Sequence, residues 1–128
     1  DALAFNPKQL ADIRQGAIGE FELARVQAAW PIMGVDMTTD STPSETGLTD
    51  VAVSFTKGCY PGQELVERMD SRGTAAPRSL RLIRSMGVAR VGEPVVLNGQ
   101  EIGIYTSVCQ DFALALIKRS ADSSSIQI

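Results

Sequence analysis

A two-residue turn signal near the C-terminal end constrains the fold of this chain more than any other feature. Asn98-Gly99 stands between two strand-like runs, Pro94–Leu97 and Glu101–Tyr105. An Asn-Gly pair in this position favours a hairpin with a tight turn, because the central residues of such a turn need positive φ. The sequence therefore predicts an antiparallel pair of strands here and excludes a helix across residues 94–105.

Two further segments extend this hairpin into a small sheet. Leu80–Arg84 has the composition of a strand, and so does Phe112–Lys118, although alanine and leucine in the latter are also good helix formers. Residues 78–128 are therefore predicted to form a small antiparallel β unit.

The first part of the chain carries helix and loop signals instead. Asn6-Pro7 is typical of a helix start, since asparagine caps and proline suits the first helical position. A second helix is predicted from about Glu20 to Trp30, with a proline directly after it. Residues 31–50 have loop composition, and the alternation over residues 51–55 predicts a short strand. The fold class expected from these patterns is α+β.

Charge limits the partners that the chain can take. The formal net charge is −3, which argues against a nucleic acid as a direct partner. Residues 57–84 nevertheless hold six basic and three acidic side chains, so a small anion could be drawn to that segment. A solvated face of mixed charge is the alternative reading of the same pattern.

Composition further limits the setting and the chemistry. No apolar run reaches the roughly 20 residues that span a bilayer, and no signal peptide is visible, so neither a membrane partner nor export is expected. Two cysteines without any histidine make a zinc site and a histidine-based catalytic triad improbable. A reducing, cytoplasmic location is the default expectation. The abrupt opening at residues 1–3 suggests a piece of a longer protein.

Cys59 is the residue most suited to chemistry. It lies in a glycine-rich turn, two residues after Lys57 and just before a predicted short helix over residues 63–69. A nearby cation and the amides of a helix start both favour thiolate, so Cys59 is a candidate nucleophile or redox thiol. The alternative is a small buried hydrophobe, the usual role of a lone cysteine and the one expected for Cys109.

The residues around Cys59 resemble a known family. The run Lys57-Gly58-Cys59-Tyr60-Pro61-Gly62-Gln63-Glu64 is similar to the signature of folate-binding YgfZ-like proteins of the glycine-cleavage T-protein (GcvT) superfamily. The stretch from Arg25 through Gly34 to Leu48 resembles what precedes this signature in the superfamily. Residues 92–95 and 102–107 resemble the C-terminal barrel. The similarity covers roughly residues 20–119.

This resemblance implies a fold, a ligand and a role. Residues 1–77 would be the C-terminal part of a folate-binding middle domain, and residues 78–128 an incomplete C-terminal β-barrel-like domain. The ligand would be a reduced folate, tetrahydrofolate, and the family is linked to iron–sulfur client proteins and to some tRNA modification. Cys59 would be the functional thiol, and no metal is expected. The implied folate-binding residues are Arg25, Gln27, Lys57, Tyr60, Gly62, Gln63 and Glu64. Arg68 and Arg72, which lie four residues apart in the basic segment, are expected to bind the carboxylate tail of the folate on electrostatic grounds.

This chain departs from the family pattern at one position, and its sequence leaves two other functions open. Many relatives have Arg-x-Glu where this chain has Arg25-Val26-Gln27, so hydrogen bonding to a pterin is kept but the charge is lost. Gln63 and Glu64 can read a pterin edge or simply cap the following helix. The alternative functions are a tetrahydrofolate-dependent aminomethyltransferase of the glycine cleavage system and an interaction domain in which Cys59 is inert.

Overall fold

The described α-helices precede the strands along the chain, as the sequence predicts. The computed structural model describes residues 16–64, 66, 67 and 76–121. The helices whose full bounds are described are α1 (Ile18–Gln27), the one-turn α2 (Thr49–Ala52) and two 3₁₀ turns, Pro43–Glu45 and Arg119–Ala121. The strands are β1 (Arg78–Arg84), β2 (Pro94–Leu97), β3 (Gln100–Cys109) and β4 (Phe112–Lys118). The α+β class is confirmed, and so are the strands predicted at residues 80–84 and 112–118.

The four strands form one antiparallel sheet in the order β1-β4-β3-β2. Leu97 pairs with Gln100 across the predicted two-residue turn. Asn98 has φ 52° and Gly99 has φ 79°, the left-handed conformations that such a turn requires. The predicted hairpin is therefore confirmed, and it places β2 at one edge of the sheet.

The sheet buries apolar side chains on both faces, because successive residues of a strand point in opposite directions. One cluster contains Val95, Ile102, Ala115 and Ile117. The other joins Leu80 and Leu114 to Val26 of α1, and Val26 and Leu114 are both fully buried. Helix α1 is therefore packed directly on the sheet, which brings its polar residues beside β3.

The end of α1 fixes the direction of the following loop. Ala29 has φ 51°, and the amides of Ala29 and Trp30 donate to the carbonyls of Val26 (3.0 Å) and Arg25 (3.0 Å). This hydrogen-bond pair is a Schellman motif, here with alanine where glycine is usual. The predicted helix is confirmed in substance, but it ends at Gln27 rather than Trp30 because the chain turns left-handed at Ala29.

One sequence expectation for the first part of the chain is wrong, and two others are not tested by the structure. The strand predicted over residues 51–55 is wrong, since Val51 and Ala52 donate to the carbonyl of Leu48 and close the turn of α2. The alternation there reflects no buried face, because Val51 is 72% exposed. The helix predicted from Asn6 lies outside the described residues. The domain boundary after residue 77 stays a prediction.

Within the part of the chain that the structure describes, no helix is long and apolar enough to cross a membrane.

Candidate functional site

The residues after Cys59 form a tight turn. The amide of Gln63 donates to the carbonyl of Tyr60 over 3.2 Å, with Pro61 second and Gly62 third in the turn. Gly62 has φ 85°. Proline followed by a residue of positive φ defines a type II turn, in which the third position favours glycine. The signature therefore specifies a fixed backbone immediately after the cysteine.

Gln63 closes this turn and starts a helical segment. Its Oε1 accepts from the amide of Tyr60 (3.3 Å), and its Nε2 donates to Glu67 Oε1 (2.7 Å). Residues 63, 64, 66 and 67 are helical, and the amide of Val66 donates to the carbonyl of Gly62 (3.2 Å). The short helix expected after the cysteine is confirmed over these residues. Gln63 caps it, one of the two roles open from the sequence; a pterin contact by Gln63 or by the exposed Glu64 stays a prediction.

The two thiols lie in different surroundings. Cys59 is exposed, whereas Cys109 is half-buried and packs against the cluster of Val26, Leu80 and Leu114. Two residues before Cys59 in the sequence, Lys57 places its ammonium 4.9 Å from the centroid of the Tyr60 ring, within the range of a cation–π contact. The Tyr60 hydroxyl is buried and finds no hydrogen-bond partner among the residues that the structure describes. The turn thus exposes the Cys59 thiol, while two of its neighbours in sequence, Lys57 and Tyr60, contact each other.

We expect Cys59 to react with a limiting amount of an alkylating reagent before Cys109 does, because only Cys59 is exposed. Peptide mass spectrometry at neutral pH gives the fraction of each thiol that is alkylated. In Cys109→Ser the fast alkylation of Cys59 should remain, whereas Cys59→Ser should show only the slow alkylation of Cys109. Equal or reversed labelling would remove the case for Cys59 as a special thiol.

Arg25, implied as a folate ligand, is bound on all sides by the protein itself. Its Nε and Nη2 donate to the Glu22 carboxylate, and its Nη1 donates to Trp30 O (2.8 Å) and Asp36 Oδ2 (2.8 Å). Nη2 also donates to Ser107 Oγ over 2.8 Å. These bonds use the five N–H donors of a guanidinium. A direct hydrogen bond from Arg25 to a pterin would need one of these partners to leave.

Asp36 is the acceptor at the centre of this network. It is 2% exposed, and its Oδ2 also accepts from the amide of Ile32 over 3.0 Å. Its Oδ1 accepts from Thr106 Oγ1 (2.6 Å) and Ser107 Oγ (2.7 Å) of β3. Burying a charge is tolerated only when it is paired and hydrogen-bonded, and Asp36 meets both conditions. We call Glu22, Arg25, Asp36, Thr106 and Ser107 the Arg25–Asp36 network.

The network changes the acid–base behaviour of its members. Hydrogen bonding from Arg25 holds the pKa of Glu22 below its ordinary value, although partial burial opposes this. The same bond to Glu22 raises the pKa of Arg25, which therefore stays charged. A carboxyl whose pKa is depressed by folding stabilises the fold above its unfolded pKa. That contribution is lost as the pH falls through the pKa of the folded state.

The predicted site residues fall into separate groups in the structure. Lys57, Tyr60, Gly62 and Gln63 come together in the motif turn, while the partners of Arg25 come from α1, the loop after it and β3. Gln27 is exposed at the end of α1. Arg68 and Arg72 lie outside the described residues. From the basic segment 57–84, Arg78 is paired with the buried Glu45 carboxylate at 3.5 Å.

Sequence reasoning missed the role of Asp36 and its partners. Two signals were available. Asp36 stands between Val35 and Met37, and the pair Thr106-Ser107 separates the apolar residues Ile102–Tyr105 from Val108. Polar residues in such positions are buried only with partners, so each pointed to a complement elsewhere in the chain.

The chain is similar to proteins named aminomethyltransferase. It is 31% identical over 110 residues to the one from Staphylococcus carnosus, covering 80% of this chain and 30% of the relative. The protein of that name from Anoxybacillus flavithermus is 31% identical over 120 residues, covering 87% and 32%. The one from Synechococcus sp. WH7803 is 30% identical over 90 residues, covering 70% and 24%. No family profile matches the chain.

These similarities support a relationship to the GcvT-like superfamily. The four-stranded antiparallel sheet agrees with a β-rich C-terminal unit of that superfamily. The chain spans 24–32% of the length of the curated relatives named above.

Proposed function

We propose that this chain is part of a folate-binding, YgfZ-like accessory protein that supports the assembly or maintenance of iron–sulfur proteins, with Cys59 as its functional thiol. The observation that carries the proposal is the Lys57–Glu64 run, because its sequence resembles the YgfZ-like signature and its fold exposes the cysteine. A cysteine that only fills space in the core would be buried rather than exposed in a turn. The proposed setting is the cytoplasm, where thiols stay reduced.

Reduced folate is the ligand that we propose. Relatives named aminomethyltransferase support it, since that reaction in the glycine cleavage system uses tetrahydrofolate. In this proposal the pterin contacts the motif residues Lys57, Tyr60, Gly62, Gln63 and Glu64. Gln27 is exposed and can offer an amide, whereas Arg25 acts by keeping α1 and its loop in place.

An aminomethyltransferase of the glycine cleavage system is the second candidate, and the printed names of the relatives favour it. Methylene transfer to tetrahydrofolate, measured with the full-length protein that carries this chain, separates the two functions. Transfer that persists in Cys59→Ser would favour the aminomethyltransferase. Tetrahydrofolate binding without transfer, together with loss of iron–sulfur enzyme activity in cells that carry Cys59→Ser, would favour the accessory protein.

The folate tail gives a sharper test of the ligand. We expect Arg68→Ala/Arg72→Ala to weaken the binding of a polyglutamylated folate more than the binding of the monoglutamate, because arginine pairs well with the tail carboxylates. Each partly buried contact contributes about 1.5–3 kcal/mol, and the difference should shrink at high salt. Calorimetric titration of the full-length protein with both ligands measures it.

The matched control is Arg84→Ala/Arg90→Ala, which removes two exposed arginines from the β unit. It should leave the difference between the two ligands unchanged. Equal weakening of both ligands by the Arg68/Arg72 variant would place these arginines away from the tail. Absence of binding by either ligand to the full-length protein would end the folate proposal.

A further inference from the structure

The hairpin turn between β2 and β3 contains a reactive pair. Asn98 and Gly99 are both exposed, and no hydrogen bond to the Asn98 carboxamide occurs among the described residues. Gly99 has no side chain to shield its backbone nitrogen, and a Cβ built there would meet nothing within 4 Å. The carboxamide carbon of Asn98 and the amide nitrogen that follows it are therefore both open to solvent.

We propose that Asn98 is a site of spontaneous covalent modification, at which the chain converts its own asparagine into aspartate and isoaspartate. The Gly99 nitrogen loses its proton and bonds to Cγ of Asn98, and the Cγ–Nδ2 bond breaks. Nδ2 leaves as ammonia, and a five-membered succinimide remains. Water then opens either C–N bond of the ring, so the net reaction consumes one water, releases one ammonia and creates one carboxylate.

No other asparagine in the chain can react in this way. The only other one is Asn6, and the residue after it is Pro7. Proline has no backbone N–H, so its nitrogen cannot close the ring by this route. All acid formed from asparagine in this chain should therefore map to residue 98.

The two products have different structural consequences. Opening the ring at Cγ gives aspartate with a normal backbone, and Asp-Gly suits the same turn as Asn-Gly. Opening it at the main-chain carbonyl gives isoaspartate, which adds a methylene group to the backbone inside a two-residue turn. The Leu97–Gln100 pair then loses its register.

Strand β2 is the element that isoaspartate should release. It has four residues, lies at the edge of the sheet and, among the described strands, pairs with β3 alone. It already carries a register shift between Val95 and Val96. Val95 contributes to the cluster with Ile102, Ala115 and Ile117, so loss of the turn should loosen that side of the core.

The test is to age the chain in mildly alkaline buffer and to follow it by ion-exchange chromatography and peptide mapping. We expect a more acidic form whose extra charge maps to residue 98, with isoaspartate detected by enzymatic methylation. Asn98→Gly keeps a turn-compatible Gly-Gly pair and should produce no such form. An acidic form in Asn98→Gly would overturn the proposal. A synthetic peptide of residues 94–105 serves as the time reference: if its asparagine has become aspartate and isoaspartate while the parent chain shows no acidic form, the proposal is also overturned.

Hydrogen exchange tests the structural consequence. Isoaspartate chains should exchange the amides of residues 95–97 faster than fresh chains, while the β1–β4 pairing stays protected. Asn98→Asp carries the same added charge with a normal backbone and should behave like the fresh chain. Unchanged protection of β2 in isoaspartate chains would refute its release.

Discussion

Replacing Asp36 by alanine should lower the free energy of unfolding by about 3–5 kcal/mol, because the buried Arg25 cation loses its buried partner and keeps only the half-buried Glu22 carboxylate. The side chains of Arg25 and Asp36 are 3% and 0% exposed. Without Asp36, the Ile32 amide and the hydroxyls of Thr106 and Ser107 also lose their acceptor. Urea unfolding followed by the fluorescence of Trp30, the only tryptophan, measures the loss.

A matched control and a double variant sharpen this prediction. Glu101 and Lys118 also pair a carboxylate with a cation across two elements, at 3.3 Å, but their side chains are 61% and 51% exposed. Glu101→Ala should therefore change stability by no more than about 1 kcal/mol. Arg25→Met/Asp36→Leu should lose less than the sum of the single variants, because neither charge is left unpaired. If the stability loss of the double variant equalled the sum of the two single losses, Arg25 and Asp36 would not be coupled as the network requires.

The same experiment carries an acid readout. As the pH falls through the depressed pKa of Glu22, the parent should lose the stabilisation that this carboxylate gives. In Arg25→Met the depression disappears, so this part of the pH dependence should be absent. A pH profile of stability that is identical in the two proteins would show that Glu22 contributes nothing through Arg25.

Truncation of Leu114 to alanine should lower the free energy of unfolding by about 2–5 kcal/mol. Leu114 is fully buried where α1 meets the sheet, with Val26 and Leu80 packed against it. The loss has two parts: apolar surface is no longer buried, and the cavity is bordered by a helix and a strand that cannot both move in. Chemical denaturation with an unchanged m-value is the required measurement.

Two controls accompany it. Leu114→Met keeps the volume and should lose less than about 1.5 kcal/mol. Val96→Ala removes carbon from a side chain that is 58% exposed on β2 and should change stability little. If Leu114→Ala and Val96→Ala lost similar amounts, the contact between α1 and the sheet would not be part of the core.

Local patterns predicted the β part of the fold well, for physical reasons. Asn98-Gly99 has few conformations available, and the strands beside it need no distant partner to be recognised. The strand expected at residues 51–55 failed because alternation indicates a strand only when one face is buried. Val51 faces solvent, so the alternation there carried no information about packing.

The candidate site could be predicted from the sequence only where its contacts join residues that are close together along the chain. The turn at residues 60–63 follows from Pro61-Gly62, and capping by Gln63 follows from its position three residues after Tyr60. The partners of Arg25 could not be read in this way. Ser107 is 82 residues away, and which of many hydroxyls meets a given arginine depends on the tertiary fold.

The Arg25–Asp36 network also bears on how the chain can be divided. Its polar groups come from α1, the following loop and β3, so any cut between residues 42 and 100 places Thr106 and Ser107 on a different piece from their acceptor. A β unit taken alone would expose the Leu80–Leu114 surface that Val26 covers. These buried contacts cross the domain boundary predicted after residue 77, which stays a prediction. Gene fusions or circular permutations should open the chain in surface turns and keep α1 and the sheet together.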